Sequence, residues 1–185
     1  ISILPGSRKN EINKHLQLLY ETADRIHEKR GSTQFIYPLA PTVNKVDISQ
    51  TKQPKPGITL IENDTYNAVA HSDLALVTSG TATLETAILQ TPLIVIYKSS
   101  LVTYLIGKYL LRIKVIGLPN IIAGKEIVPE DPRFVSPTKM AETVRYYLEN
   151  EQAYGEIREN LISLKMQLGE TGAYLKTAEF IANRI

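Results

Sequence analysis

The chain contains no cysteine and no tryptophan, and only 2 methionines and 3 phenylalanines in 185 residues. Without cysteine, disulfides and thiolate metal sites are excluded, and the redox compartment stays undetermined. Glycine-rich nucleotide signatures are missing too: there is no Gly-x-Gly-x-x-Gly, no Walker A pattern and no Gly-x-Ser-x-Gly elbow. No Asp-x-Asp pair is present to hold a divalent metal against a diphosphate. His15, His27 and His71 lack ligand spacing and read as helix-surface or packing residues. A strong charge of one sign is also absent. The formal net charge of +2 and pI near 8.7 leave no nucleic-acid-binding footprint, only a weak lean toward anionic ligands or a membrane surface. The longest apolar stretch, Leu89 to Ile122, is broken by Pro92, Lys98, Lys108, Arg112 and Pro119, so it does not span a bilayer.

What is present is an ordinary globular balance, 43% hydrophobic and 22% charged, at a length suited to one domain with a full core. No internal repeat, low-complexity tract or signal peptide is visible. The chain opens on "ISILPGSRKN", already strand-like and without an initiator Met, which reads as the later part of a longer protein.

Strand-like and helix-like segments alternate. "ISIL" leads through "PGSRKN" to a helix with apolar residues at Ile12, Leu16, Leu19, Ala23 and Ile26, stopped by Gly31. The strand "TQFIYPL", a short polar helix near residues 42–50 and the strand "ITLIE" follow. Asp64 is placed to cap the helix "TYNAVAHS", which feeds the strand "DLALVTS". A helix "GTATLETAILQ", a strand "PLIVIY" and an apolar helix "LVTYLIGKYLLRI" come next. Ser136-Pro137 reads as an N-cap and first helical position, opening a helical tail over 136–185 with breaks near Gly155 and Gly169–Gly172. Continuous apolar strands separated by helices predict a doubly wound parallel sheet covered on both faces, in a single domain over 1–185 extended by C-terminal helices.

Three segments carry chemistry. In "LPGSRKNE" a strand ends in a tight turn at Gly6, where Ser7 can donate or cap and Arg8 can reach a phosphate or carboxylate. The plain alternative is a βα loop with a capped helix and a solvated arginine. In "TSGTATLE" the strand passes Ser79 and Gly80 into a helix. Gly80 lets a ligand approach the backbone, and Thr81 and Thr83 can bond a pyrophosphate where the helix dipole favours negative charge. Glu85, one turn on, suits a pair of ribose hydroxyls; otherwise the threonines are caps and Glu85 only offsets the dipole. "GLPNIIAGKEIVPE" reads as an apolar loop carrying Asn120, Gly124, Lys125, Glu126 and Glu130, the mixture that lines sites, or else a packed connection with its charges in water.

Taken together, "LPGSRKNEI", "SDLALVTSGTATLETAILQTPLIVIY" and "VIGLPNIIAGKEIVPE" closely resemble the C-terminal half of the lipid-A-disaccharide synthase family. After Glu130 this chain has Asp131-Pro132-Arg133, where family members usually begin a helix. The resemblance implies the donor-binding half of a GT-B glycosyltransferase. That family transfers 2,3-diacylglucosamine from its UDP derivative to the acceptor 2,3-diacylglucosamine 1-phosphate, inverting the anomeric centre to a β-1,6 link without a catalytic metal. By this analogy Arg8, Ser79, Gly80, Thr81, Asn120 and Glu130 contact the donor's phosphate, ribose or uracil, with Ser7 and Glu85 as helpers. The catalytic base is expected in an N-terminal acceptor half that this chain lacks, so no catalytic residue is expected here. The resemblance further implies no cofactor, no nucleic-acid partner, a bacterial cytoplasmic location peripheral to the inner membrane, and scope for a homodimer. Leu101–Lys114, apolar with Lys108 and Arg112 on one face, reads as a buried sheet-covering helix or as a surface touching acyl chains and anionic lipid. The alternatives are a non-catalytic sugar-nucleotide-binding module and another GT-B enzyme using UDP-N-acetylglucosamine.

Overall fold

A computed structural model describes residues 1–40, 43, 56–97, 115–131, 136–169 and 172–184. Its strands are β1 (Ser2–Leu4), β2 (Ile36–Pro38), β3 (Thr59–Ile61), β4 (Ala75–Thr78), β5 (Leu93–Ile96) and β6 (Glu130–Asp131). The helices are α1 (Lys9–Lys29), α2 (Thr65–Ala70), α3 (Thr81–Ile88), α4 (Leu118–Ala123), α5 (Pro137–Glu149), α6 (Glu151–Gln167) and α7 (Ala173–Ala182). The six strands form one sheet in the order β3-β2-β1-β4-β5-β6. Every pairing is parallel, so the doubly wound sheet read from the sequence is present. The order reverses between β1 and β4, and at such a switch point a crevice opens outside the carboxyl ends of the strands.

The apolar strands are buried on both faces because their side chains alternate between two helical layers. Leu74, Leu76, Ile94 and Ile96 face one way with Ile1 and Ile3, packing on Leu19, Ala23 and Ile26 of α1 and on Met140 and Val144 of α5. Ala75, Val77, Leu93 and Val95 face the other way, onto Ala87 of α3 and Ile157, Leu161 and Leu164 of α6. A third cluster joins Ile12, Leu16 and Tyr20 of α1 to Tyr37 and Leu39.

The region after 136 is therefore not simply appended, since α5 and α6 each complete one face of the sheet. Ser136 is the N-cap of α5, its Oγ accepting the Lys139 N–H at 3.4 Å, with Pro137 in the first turn. The break expected at Gly155 falls instead at Asn150, whose Oδ1 accepts the Ala153 N–H at 3.0 Å and starts α6. The helix runs through Gly155 because the apolar row Ile157, Leu161 and Leu164 outweighs the roughly 1 kcal/mol a helical glycine costs. The second break, between α6 and α7, falls where Gly169 and Gly172 both take positive φ. Asp64 stands at the N-cap of α2, but its carboxylate accepts the Asn67 Nδ2 donor at 2.6 Å rather than a backbone amide.

Two elements were not expected. Residues 118–123, read as loop, form α4, with Pro119 in the first turn and Gly124 in the left-handed conformation at the C-cap. Glu130–Asp131 then pairs beside β5 in the register Val95↔Glu130. The predicted helices near 42–50 and at Leu101–Lys114 lie almost wholly outside the described residues.

Candidate functional site

The β1–α1 turn is shaped by Glu11. Gly6 has φ +120°, and a Cβ there would lie 2.8 Å from both Cβ and Oε2 of Glu11, so the turn rests directly on that side chain. Oε2 of Glu11 accepts the Ser7 N–H at 3.3 Å, and Oε1 accepts Arg8 Nη1 at 3.0 Å. Arg8 is the N-cap residue of α1, and its side chain is 83% exposed. The register Leu4↔Val77 carries this turn alongside the end of β4.

At that end, Ser79 is half-buried and donates its backbone N–H to Ile96 O at 2.8 Å, fixing the strand's exit. Gly80 is the extended N-cap residue of α3, with no side-chain cap. Gly80, Thr81 and Glu85 are all exposed. Of the two readings of the threonines, Thr83 follows the plainer one: it is fully buried and its hydroxyl donates back to Gly80 O at 2.7 Å, bracing the helix start.

In the 115–131 segment the two singled-out polar residues are engaged internally. Asn120 is fully buried. Its Oδ1 accepts the amides of Ile127 (2.7 Å) and Val128 (2.9 Å), and its Nδ2 donates to Val128 O at 2.9 Å. These bonds form a clamp folding 124–128 back onto α4, so the amide expected at the donor is engaged within the chain. Glu130 receives the Ile116 and Gly117 amides, each at 2.6 Å, on its two carboxylate oxygens. It offsets the positive end of α4 from within the chain and is itself half-buried.

The starts of α1, α3 and α4, like that of α2, follow the carboxyl edge of the sheet. Glu11 serves that of α1 and Glu130 that of α4, whereas α3 starts at Gly80 without an anionic cap. Backbone donors and a favourable dipole at Thr81 remain for an external anion. Glu11, in the first turn of the helix that the sequence predicts, was given no role from the sequence, and Gly117 was not singled out. The Ser-Arg-x-x-Glu spacing, which places a carboxylate three residues into the helix as in a capping box, was the available signal for Glu11.

Two clefts lie elsewhere. One of about 320 Å³ separates the end of α1 from α5, and one of about 610 Å³ is lined by Ile1, Thr33, Asp73 and Tyr154 at the opposite edge of the sheet. Neither is lined by Ser7, Arg8 or residues 79–85.

An open parallel sheet in this strand order, with the start of α3 beside its switch point, defines a Rossmann-like domain. A crystal structure described as a UDP-N-acetylglucosamine 2-epimerase from Listeria monocytogenes shares the fold, with TM-score 0.56 over 86% of this chain and 39% of that one, at 18% identity. The family model of lipid-A-disaccharide synthetase matches residues 1–184, and the chain belongs to that family. Its relatives include lipid-A-disaccharide synthases of Syntrophus aciditrophicus (41% identical, 96% of this chain, 47% of theirs) and Myxococcus xanthus (36%, 98%, 48%). That of Persephonella marina is 39% identical over 97% of this chain and 49% of its own. The chain thus spans about half the length of these relatives.

Proposed function

We propose that this chain is the donor-binding half of a lipid-A-disaccharide synthase. It holds UDP-2,3-diacylglucosamine while the sugar passes to 2,3-diacylglucosamine 1-phosphate. The observation that carries the reading is the uncapped start of α3 at the switch point, in a chain of this family. The diphosphate sits at Gly80–Thr81, with Ser79 and Ser7 at its sides and Arg8 across the crevice supplying positive charge. Glu85, exposed one turn further on, receives the ribose hydroxyls. Asn120 and Glu130 act indirectly, by fixing the backbone of 116–128 that walls the crevice beyond β5. Helix-end amides and one guanidinium supply the countercharge, so no metal is needed for binding. The lipid substrates place the working enzyme at the cytoplasmic face of the inner membrane.

Calorimetric titration of UDP into the purified chain tests this. Binding is expected, and Arg8→Ala should weaken it about 10- to 150-fold, the worth of one good charged hydrogen bond. Absence of UDP binding, or an unchanged affinity in Arg8→Ala, counts against the site.

A further inference from the structure

Arg8 is long, 83% exposed and positioned by nothing described except one carboxylate, and that carboxylate is built into the turn that carries Arg8. We infer that Glu11 is a positioning residue for ligand binding: it acts on the diphosphate of a bound nucleotide through Arg8, without touching the ligand. The inference rests on the proposed role of Arg8.

Three contacts carry it. Glu11 lies beneath Gly6 so closely that only a glycine at φ +120° fits there, which fixes the course of the chain through Ser7. Its Oε2 takes the Ser7 amide, so this N–H of the turn already has an acceptor and the α1 start is not the better anion seat. Its Oε1 takes Nη1 of Arg8. A guanidinium has five N–H donors in a rigid fork, and holding one edge leaves the others for a phosphate. A free arginine must lose its rotamer freedom when it meets the ligand. One already held at one edge has lost part of that freedom beforehand, which is worth about 2- to 12-fold in affinity per immobilised side chain. Only Nη1 of Arg8 is engaged by Glu11, and the rest of the exposed guanidinium is left to present its charge to a diphosphate.

The test is a double-mutant cycle on UDP affinity with the 185-residue chain: wild type, Glu11→Ala, Arg8→Ala and the double variant. Glu11→Ala should weaken UDP about 2- to 12-fold when Arg8 is present and have no further effect once Arg8 is alanine. Glu11→Gln keeps the packing beneath Gly6 and removes the charge; it should weaken UDP in the same direction. A purely structural role for Glu11 would give additive losses in the cycle, and a wild-type affinity in Glu11→Gln would show that charge is not what acts. Either result overturns the inference, as does tighter binding in Glu11→Ala, which would make Glu11 a competitor of the ligand. If Arg8→Ala weakens UDP while both Glu11 variants match wild type, only the inference fails. If Arg8→Ala is silent, the proposed role of Arg8 falls and the inference falls with it.

Discussion

Glu130 closes over the backbone of Gly117: its Oε2 accepts the Gly117 N–H at 2.6 Å, and a Cβ on Gly117 would lie 2.8 Å from that oxygen. The same Cβ would meet Cγ2 of Val95 at 3.1 Å, so it could not turn away from the carboxylate without pressing on β5. The backbone of Gly117 is ordinary extended chain, φ −66°, so a larger residue is opposed here by space: it would have to displace the carboxylate from the two amides that it holds.

Gly117→Ala is therefore expected to destabilise the fold by about 1–3 kcal/mol, the usual cost of overpacking. Gly155→Ala makes the contrast. A Cβ at Gly155 meets nothing within 4 Å, and the residue lies inside α6, so alanine there should stabilise by about 0.5–1 kcal/mol. Thermal unfolding of both variants should move the midpoint in opposite directions, by about 2–4 °C per kcal/mol for a chain of this size.

Asn120→Ala leaves the Ile127 and Val128 amides without their acceptor in a fully buried place. Each buried donor left unsatisfied costs about 1–3 kcal/mol, so a loss of about 2–6 kcal/mol is expected in denaturant unfolding. Amide hydrogen exchange should show the change confined to 116–130 at low denaturant. A variant as stable as wild type would mean that the clamp is not what folds this segment.

The same segment marks where the sequence was legible and where it was not. The run "PLIVIY" could be read as a buried parallel strand because a sheet covered on both faces needs apolar residues without alternation, and Leu93–Ile96 does lie between two helical layers. The helix α4 escaped because six residues cannot display a 3.6-residue period; only Pro119 near its start and Gly124 after its end mark it. Asn120 was recognisable as special, since an amide in an apolar run needs partners. Whether those partners were a ligand or the chain's own backbone depends on the fold of 124–128, which no local pattern states. The long helix α6 was misread at Gly155 for the converse reason: tertiary packing along its apolar row overrode a local signal.

Tyr37 gives the chain a sensitivity to alkaline pH. Its ring is almost fully buried, and its hydroxyl has no partner among the described residues. Burial first, and the neighbouring Tyr20 second, push its pKa well above the ordinary value near 10. The unfolded chain therefore ionises first as pH rises. The stability owed to the neutral phenol is complete below about pH 10 and falls above it, by up to about 1.4 kcal/mol per pH unit for one proton. Tyr37→Phe should match wild type near pH 7 and lose less stability between about pH 10 and 11. Denaturant midpoints measured across that range check it; parallel curves would refute the assignment.

Glu85 offers a test of ligand orientation. If its exposed carboxylate accepts the ribose hydroxyls, UDP should bind more tightly than 2′-deoxy-UDP, by up to about 10- to 150-fold for a charged hydrogen bond. Glu85→Ala should remove most of that preference while leaving the affinity for 2′-deoxy-UDP nearly unchanged. A preference that survives the substitution would move the ribose away from α3.

The last prediction concerns the division of labour within the proposed enzyme. Glu11 and Glu130 serve the starts of α1 and α4, so the proposed site draws its countercharge, among the described residues, from the α3 start and Arg8. UDP binding that depends on these groups should persist in EDTA and gain little from added magnesium. Transfer demands more than binding: a base must take the proton of the acceptor's 6-hydroxyl, and the acceptor must be held against the donor sugar. The proposed reading assigns both tasks to the half of the relatives that this chain does not match. Loss of general base catalysis alone lowers a rate about 10²- to 10⁴-fold, before the loss of proximity is counted. With both lipid substrates supplied, the 185-residue chain should bind UDP yet form no disaccharide. Turnover by this chain at rates within tenfold of a full-length relative would refute the division, and UDP affinity abolished by EDTA would refute the metal-free seat.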